Sequence, residues 1–333
     1  MSSPRRHRPS TLAVVAALLV VYVVWGSTYL GIAVMIETMP PLLSAGVRYG
    51  SAGLILMAAT VLHARATGGV ALAAPTRAQW IAALVIGTLL LLGGNGGVVL
   101  AELRIPSGVA AVLIATVPIW MAVFDSIVTR RRPGWLVIGG LVAGLVGVAV
   151  MLVPVEGIGN IDPVGVVLCL GAAISWAIGS IYSRSAPHPA SGALGSGMTM
   201  VGGGLALVAV GTVLGEIGQV DLAAFSTRSW VAFAYLVLVG SVLAFTAYTW
   251  LLANVSVSTV GTYAYVNPVV AVALGAVFLS EPITPRTLVA AAIIIGAVVA
   301  MVSGRARAAP ETSPAPEAAS HEPELPRRTA EEH

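Results

Sequence analysis

The sequence SGVAAVLIATVPIWMAVFDSIVTRRRPGWLVIGGLVAGLVGVAVM runs from Ser107 to Met151 and contains two long apolar segments. The segments are separated by three consecutive arginines, Arg130, Arg131 and Arg132. A run of about 20 mainly apolar residues can cross a membrane as a helix, and arginine is concentrated in cytoplasmic loops. This stretch therefore predicts two transmembrane helices that are joined by a cytoplasmic loop.

A second copy of this pattern follows 150 residues later. Ser107–Met151 then aligns with Val257–Met301, and Pro118 aligns with Pro268. The loop of the second copy contains Glu281 where the first copy has arginines, so the two loops are expected on opposite sides of the membrane. An odd number of helices per copy produces such an inversion. The sequence therefore predicts two inverted five-helix repeats, with a binding site between them near the midplane and transport by alternating access.

The composition is that of a membrane protein along most of the chain. The 333 residues are 57% hydrophobic and 9% charged, and the mean hydropathy is +0.94, whereas soluble domains contain about 25% charged residues. Ten segments are long and apolar enough to span a membrane, namely 12–35, 42–63, 79–100, 107–128, 134–153, 163–184, 191–214, 230–252, 257–279 and 285–303. We therefore predict an all-α membrane protein with ten transmembrane helices.

The arginines predict the orientation of these helices. With both termini in the cytoplasm, eleven arginines close to the spans fall on the cytoplasmic side and three fall in outer loops. The eleven are Arg5, Arg6, Arg8, Arg65, Arg77, Arg130, Arg131, Arg132, Arg184, Arg305 and Arg307, and the three are Arg104, Arg228 and Arg286. We expect a multi-pass protein of the inner (plasma) membrane in contact with lipid. The net charge of +3 does not indicate a nucleic-acid partner, because the arginines are scattered over loops.

The segments divide the chain into five regions. A cytoplasmic N-terminus (1–11) precedes the first five-helix unit (12–153), and an outer linker (154–162) leads to the second unit (163–303). Residues 304–333 are rich in proline, glutamate, alanine and arginine. Such a segment cannot bury enough apolar surface to offset the entropy of ordering. We therefore predict a disordered cytoplasmic tail.

Several motifs resemble those of the EamA-type proteins of the drug/metabolite transporter superfamily. They are WGSTY (25–29), RY (48–49), GGNGG (93–97), PSGVAA (106–111), VNP (266–268) and LSEP (279–282). The resemblance covers about 12–303. It implies two EamA domains of five helices each, in a ten-helix bundle with a central cavity. It also implies export of small metabolites, most often amino acids or related amphiphilic compounds.

Arg48 is a charged residue within a predicted span. It lies six residues after the start of the second segment, about 9 Å below the outer end of the helix. An ionisable group at such a depth indicates a function, here attraction of a substrate carboxylate or stabilisation of an outward gate. The alternative is that the side chain extends to the outer surface or pairs structurally with Glu37 or Glu102.

Aromatic and amide side chains provide the other candidate substrate contacts. Tyr263 and Asn267 are four residues apart and share a helical face, which suits a ligand with a polar head and an apolar body. The full predicted set is Trp25, Tyr29, Arg48, Asn95, Trp176, Tyr182, Tyr248, Tyr263, Tyr265 and Asn267. The alternative for tryptophan and tyrosine is the belt at the membrane surface, which is expected for Trp80, Trp135 and Trp230.

Pro118 and Pro268 are the predicted hinges. A proline inside a helix removes one backbone hydrogen bond and displaces the carbonyl four residues earlier, here that of Ile114 or Ala264. In a membrane such a carbonyl needs another partner. The symmetric positions therefore predict two moving walls of one cavity, and static kinks that serve packing are the alternative.

The remaining charged and small residues indicate structure rather than chemistry. Asp125 is expected to be a local partner of Arg130–Arg132, with a proton-coupling carboxylate as the alternative. Glycines such as Gly202, Gly203 and Gly204 allow close helix packing, within one chain or across a homodimer.

The predicted function is a secondary transporter that exports neutral or aromatic amino acids or related small molecules. A membrane enzyme is disfavoured because the five histidines lie in loops, termini or span ends and Cys169 is the only cysteine; we predict no catalytic residue, metal or cofactor. A receptor or scaffold would not require an inverted repeat. An exchanger of phosphorylated metabolites or nucleotide sugars is the main alternative, but it needs several basic groups in the cavity and only Arg48 is available.

Overall fold

A computed structural model describes residues 10–67, 73–130, 135–152, 161–255 and 263–308. Within these ranges the regular structure is entirely helical and contains no β-strand. The predicted outer linker 154–162 and the predicted tail 304–333 lie largely outside these ranges, as does most of the N-terminus 1–11. The final helix extends to Ala308, five residues beyond the predicted end of the last segment at residue 303.

Thirteen α-helices are described. They are α1 (Thr11–Met35), α2 (Pro41–Ala66), α3 (Arg77–Gly87), α4 (Gly97–Glu102), α5 (Ser107–Ile114), α6 (Val117–Val128), α7 (Trp135–Leu152), α8 (Pro163–Ser183), α9 (Gly192–Val213), α10 (Thr227–Tyr235), α11 (Ala244–Asn254), α12 (Tyr263–Leu279) and α13 (Pro285–Ala308). Two π-helical segments, π1 (Thr88–Gly96) and π2 (Leu236–Leu243), connect α3 to α4 and α10 to α11. A short 3-10 helix, Glu216–Gln219, follows α9.

Seven helical segments are long and apolar enough to cross a membrane. They are Thr11–Met35, Pro41–Ala66, Arg77–Glu102, Ser107–Val128, Pro163–Ser183, Gly192–Val213 and Thr227–Tyr248. Three further apolar helices are shorter: Ile138–Val150, Val266–Leu279 and Pro285–Ala297. The prediction of an all-α multi-pass protein is confirmed, and the number of ten transmembrane helices stays a prediction.

Helices from the two halves of the chain pack against one another. Helix α2 packs along α9, α7 along α13, and α1 along α12. Glycines allow the close approach of α2 and α9, because a Cβ atom on Gly204 would lie 2.7 Å from the backbone nitrogen of Gly50 and 2.8 Å from the carbonyl oxygen of Gly46. Small residues bring membrane helices together in this way. The contact between α2 and α9 therefore holds the first half of the chain against the second.

The two π-helical segments occupy equivalent places in the two halves. Segment π1 begins at Thr88 and π2 begins at Leu236, 148 residues later, close to the 150-residue offset of the sequence repeat. A π-helical turn is rare and occurs frequently at functional sites. No pattern in the sequence predicts either π-helical segment.

The two predicted hinge prolines differ in their surroundings. Helix α5 ends at Ile114 and α6 begins at Val117, so Pro118 lies in the first turn of a new helix. The backbone N–H groups of a first turn have no partner within the helix, so a proline is tolerated there. Pro268 instead lies inside the continuous helix α12. Their role as hinges stays a prediction.

Two glutamates of the second half cap helices of the first half. The carboxylate of Glu216 accepts hydrogen bonds from the backbone N–H groups of Leu42 (3.1 Å) and Leu43 (2.8 Å) at the start of α2. Glu281 accepts from Ser107 (2.8 Å) and Gly108 (3.1 Å) at the start of α5. Both helices are preceded by proline, which has no capping side chain. A negative charge at a helix N-terminus is favourable, so these contacts fix the helix ends on the predicted outer side.

Candidate functional site

A cavity lies between the two halves of the chain, and it brings together most of the predicted site residues. Eight of the twelve predicted contact and hinge residues line it: Trp25, Tyr29, Arg48, Asn95, Trp176, Tyr263, Asn267 and Pro268. Segments π1 and π2 both reach it, through Asn95 and Gly240. Both π-helical segments and the start of α12 therefore contribute residues to the cavity wall.

The other four predicted residues do not line the cavity or cannot be placed. Tyr182, near the end of α8, is 37% exposed and lies away from it. Tyr248 packs behind the cavity wall, and Pro118 follows the lining residue Val117 without lining the cavity itself. The side chain of Tyr265 lies outside the part of the chain that the structure describes.

Aromatic side chains from three helices form one wall of the cavity. The ring of Trp25 in α1 lies 4.9 Å from that of Tyr248, 5.1 Å from that of Tyr263 and 5.7 Å from that of Phe245, measured between ring centroids. Aromatic pairs favour such edge-on and tilted contacts. The wall holds Trp25 in place and offers an apolar surface to a ligand.

Trp176 on the opposite side is positioned by the π1 segment. A Cβ atom on Gly94 would lie 2.9 Å from Cε3 of Trp176, so the glycine makes room for the indole. The hydroxyl of Ser175 donates to the carbonyl oxygen of Leu89 at 2.7 Å, which satisfies a backbone acceptor within π1. The π-helical turn and α8 therefore support one another next to the cavity.

Arg48 is buried at the cavity, with 3% of its surface exposed. Its Nε donates to Oγ of Ser241 at 3.2 Å, and its guanidinium carbon lies 4.5 Å from the ring centroid of Tyr49. Among the described residues, its Nη1 has no hydrogen-bond partner. Glu37, one expected partner, instead pairs with Arg228 at 3.6 Å. The guanidinium group of Arg48 therefore has donor capacity left for a ligand.

Asn267 lines the cavity and also ties two helices together. With its amide nitrogen turned toward them, it donates to the carbonyl oxygens of Tyr263 and Tyr22, each at 3.1 Å. The first contact lies within α12 and the second reaches α1. Tyr263 and Asn267 thus share one helical face as predicted. The contact between them is a hydrogen bond from the Asn267 amide to the backbone carbonyl oxygen of Tyr263.

Two acidic residues differ from their expected surroundings. Glu102 falls between the predicted spans 79–100 and 107–128, which predicts an outer loop, but it is the last residue of α4, and both of its carboxylate oxygens are buried without a hydrogen-bond partner among the described residues. Asp125 pairs at 3.0 Å with Arg184, directly after α8; of its expected partners, Arg131 and Arg132 lie outside the described ranges, so that expectation stays a prediction. The helix end at Glu102 was not predicted, because the predicted span ends two residues earlier, at residue 100.

The expected belt residues lie at the surface. Trp80, Trp135 and Trp230 are 38%, 78% and 44% exposed. Within the described ranges, no group of three or more histidine, cysteine, aspartate or glutamate side chains could hold a metal ion.

Comparison with known proteins assigns the chain to a family. The model of the EamA-like transporter family matches residues 12–153 and 163–303. The chain belongs to the EamA-like transporter family. This confirms the resemblance of its motifs, and it establishes the molecule as a membrane transporter.

Relatives of this EamA-like transporter are themselves named as transporters. It is 36% identical to the inner membrane transporter YedA of Escherichia coli strain K12 over 300 residues, which cover 88% of this chain and 92% of YedA. It is 25% identical over 301 residues to the "Probable amino-acid metabolite efflux pump" of Salmonella typhimurium strain LT2, covering 86% of this chain and 94% of that protein. These names, together with the apolar helices, establish a multi-pass inner membrane protein.

A solved structure shares the fold. It superposes with a TM-score of 0.59 at 20% sequence identity and covers 90% of this EamA-like transporter and 99% of the other chain. At this identity the likeness shows the fold alone.

Proposed function

We propose that this EamA-like transporter exports small amphiphilic metabolites, in particular neutral or aromatic amino acids, by alternating access of its two halves. The observation that carries the proposal is the pairing of a buried guanidinium group with an aromatic wall in one cavity. Arg48 has an unpartnered Nη1 for a carboxylate, and Trp25 and Trp176 offer apolar surfaces for the body of the substrate. Ligand sites commonly combine apolar walls with a few such polar groups.

The charge of the cavity favours amino acids over phosphorylated metabolites. Among the described lining residues Arg48 is the only cationic side chain. A phosphate dianion is normally bound by several donors or cations, whereas one guanidinium group matches one carboxylate. The amino-acid metabolite efflux pump of Salmonella typhimurium, which shares the family, supports the same class of substrate. We infer a transporter rather than an enzyme, with both termini in the cytoplasm.

The interruptions of regular helix around the cavity favour the proposal that its walls move during transport. The gap between α5 and α6 contributes Ala115 to the lining, and π1 and π2 contribute Gly94 and Gly240. Irregular helix geometry in a membrane is tolerated where it lines a cavity. We propose that these irregular segments, together with Pro118 and Pro268, allow the walls to rearrange between inward and outward openings.

Counterflow in proteoliposomes tests this proposal. Vesicles loaded with unlabelled phenylalanine, leucine or glucose 6-phosphate are given the labelled compound outside, and its transient accumulation is measured. We expect accumulation of phenylalanine or leucine. We also expect a loss of about tenfold or more in Arg48→Gln, because a charge-assisted hydrogen bond to the substrate disappears.

Arg228→Gln is the matched control, since Arg228 is half-exposed and pairs with Glu37 away from the cavity. Its counterflow should equal that of the wild type. Accumulation of glucose 6-phosphate alone would favour the exchanger of phosphorylated metabolites. No accumulation of either amino acid would contradict amino-acid export.

A further inference from the structure

Glu102 lies just above the cavity and has no role in the transport scheme so far. It is the last residue of the helical segment Arg77–Glu102. Val98, one helical turn earlier, lines the cavity. Residues four apart in a helix share a face, so Glu102 lies on the same helical face as Val98, toward the predicted outer side, without itself lining the cavity.

The carboxylate of Glu102 is buried without compensation. Both of its oxygens are inaccessible to solvent, and neither has a hydrogen-bond partner among the described residues. The nearest helix N-terminus does not supply one, because the N–H groups of Ser107 and Gly108 donate to Glu281. Burial of a charge without a partner is strongly unfavourable. The structure therefore contains an unused acceptor next to the cavity.

Arg48 carries the opposite charge at the same end of the cavity. The two side chains form no ion pair with each other within 4.0 Å in the described part of the chain. Among the described residues that line the cavity, Arg48 is the only one with a cationic side chain. A guanidinium group and a carboxyl group are thus both buried on the predicted outer side, each with free hydrogen-bonding capacity among the described residues.

We propose that Glu102 binds the ammonium group of the substrate while Arg48 binds its carboxylate, so that the cavity selects zwitterionic α-amino acids. The proposal rests on the proposed function. A zwitterion supplies a partner to both buried charges at once. A ligand that lacks either group leaves one charge uncompensated, and sites with buried polar groups reject such analogues strongly.

Competition in counterflow tests the proposal on the unaltered protein. The labelled probe is phenylalanine or leucine, whichever the wild type accumulates. The competitors are the unlabelled amino acid, its N-acetyl derivative, which lacks the ammonium group, and the corresponding amine, which lacks the carboxylate. We expect both analogues to compete at least tenfold more weakly than the amino acid. Equal competition by the N-acetyl derivative would overturn the role of Glu102.

Glu102→Gln isolates the carboxylate. We expect its KM for the amino acid to rise at least tenfold, with the discrimination against the N-acetyl derivative lost. Glu102→Asp should recover part of the affinity, because it retains the charge. Glu37→Gln is the matched control, since Glu37 is half-exposed and pairs with Arg228, and its KM should not change.

The outcomes separate this proposal from the proposed function. A wild type that accumulates neither amino acid contradicts both. A wild type that accumulates one of them, with an unchanged KM in Glu102→Gln, overturns the inference alone. An unchanged KM combined with the loss of uptake driven by a pH gradient would also overturn it, because Glu102 would then carry a coupling proton instead of binding the substrate.

Discussion

Glu216 and Glu102 both lie on the predicted outer side of the bundle, and both are buried, but their surroundings are opposite. Glu216 accepts two backbone hydrogen bonds at the start of α2, and Glu281 does the same at the start of α5. Glu102 accepts none within the described residues. A capped carboxylate stabilises the fold, whereas an uncapped one leaves capacity for a ligand. Burial alone therefore does not distinguish a structural glutamate from a functional one.

The largest effect on stability is expected for Glu216→Ala. The substitution leaves the N–H groups of Leu42 and Leu43 without their charged acceptor, and Glu216 is 5% exposed. Loss of a hydrogen bond to a charged group lowers the free energy of unfolding by about 1.5–3 kcal/mol. Thermal unfolding of the purified protein in detergent measures the change. Glu37→Ala, at a half-exposed position, is the control and should stay within about 0.5 kcal/mol of the wild type.

If Glu216→Ala unfolded at the wild-type temperature, the cap would contribute nothing to stability, and the contrast with Glu102 would disappear. Glu281→Ala offers a second test. Its hydrogen bonds are of the same length but only partly buried, so a smaller loss than for Glu216→Ala is expected.

Asn267→Ala should reduce transport by about tenfold while the protein still inserts into the membrane. Asn267 combines both kinds of role, because its amide lines the cavity and also donates to the carbonyl oxygens of Tyr22 and Tyr263. Loss of the amide leaves these buried carbonyls without that donor, a change worth about 1–3 kcal/mol. Counterflow normalised to protein content measures the effect.

Asn254→Ala is the matched control, since Asn254 is exposed and its amide donates only to the carbonyl oxygen of Trp250 in its own helix. Its transport should equal that of the wild type. Unchanged transport in Asn267→Ala, at normal protein levels, would remove Asn267 from the site.

Much of the fold and part of the site could be predicted from sequence. Hydropathy and segment length identified the helices, because a membrane requires long apolar segments. Helical spacing placed Tyr263 and Asn267 on one face, and the depth of Arg48 in its span indicated a buried charge. Hydropathy, helical spacing and depth within a span each depend on neighbouring residues in the chain, so they can be read from a single sequence.

The features that were missed depend on contacts between distant segments. Glu216 accepts a hydrogen bond from the backbone N–H of Leu42, which lies 174 residues away in sequence. No local sequence pattern predicts this contact. Segment π1 contacts α8, where the hydroxyl of Ser175 donates to the carbonyl oxygen of Leu89, 86 residues away in sequence. Glu102 looked like a loop residue because the helix continues past the end of its apolar run.

Glu102→Gln should leave the thermal stability unchanged or raise it by about 1 kcal/mol. The substitution keeps the size of the side chain and removes a buried charge that has no partner among the described residues, and an unsatisfied buried group is destabilising. Thermal unfolding beside Glu216→Ala makes the comparison direct. A loss as large as that of Glu216→Ala would mean that Glu102 is a structural group, and the contrast between the two would fail.

The smallest effect is expected for Asp162→Asn, which compares an exposed cap with the buried cap of Glu216. Asp162 caps α8, and the hydrogen bond from the backbone N–H of Val164, followed by that from Arg104, lowers the pKa of its carboxyl group. A lowered pKa in the folded state stabilises the protein above the ordinary pKa of aspartate, about 3.9. The contribution is lost as the pH falls through the lowered value.

The difference in melting temperature between the wild type and Asp162→Asn should therefore be constant from about pH 8 to pH 5 and shrink only below about pH 4. Arg104→Gln removes the second cause of the lowered pKa, so in that background the difference should be smaller at neutral pH and should reach its low-pH limit at a higher pH. It should also fall with added salt, because solvent and ions screen an exposed charge, whereas the effect of Glu216→Ala should not. A difference that shrank between pH 8 and pH 5 would show that another group, not the Asp162 cap, is titrating.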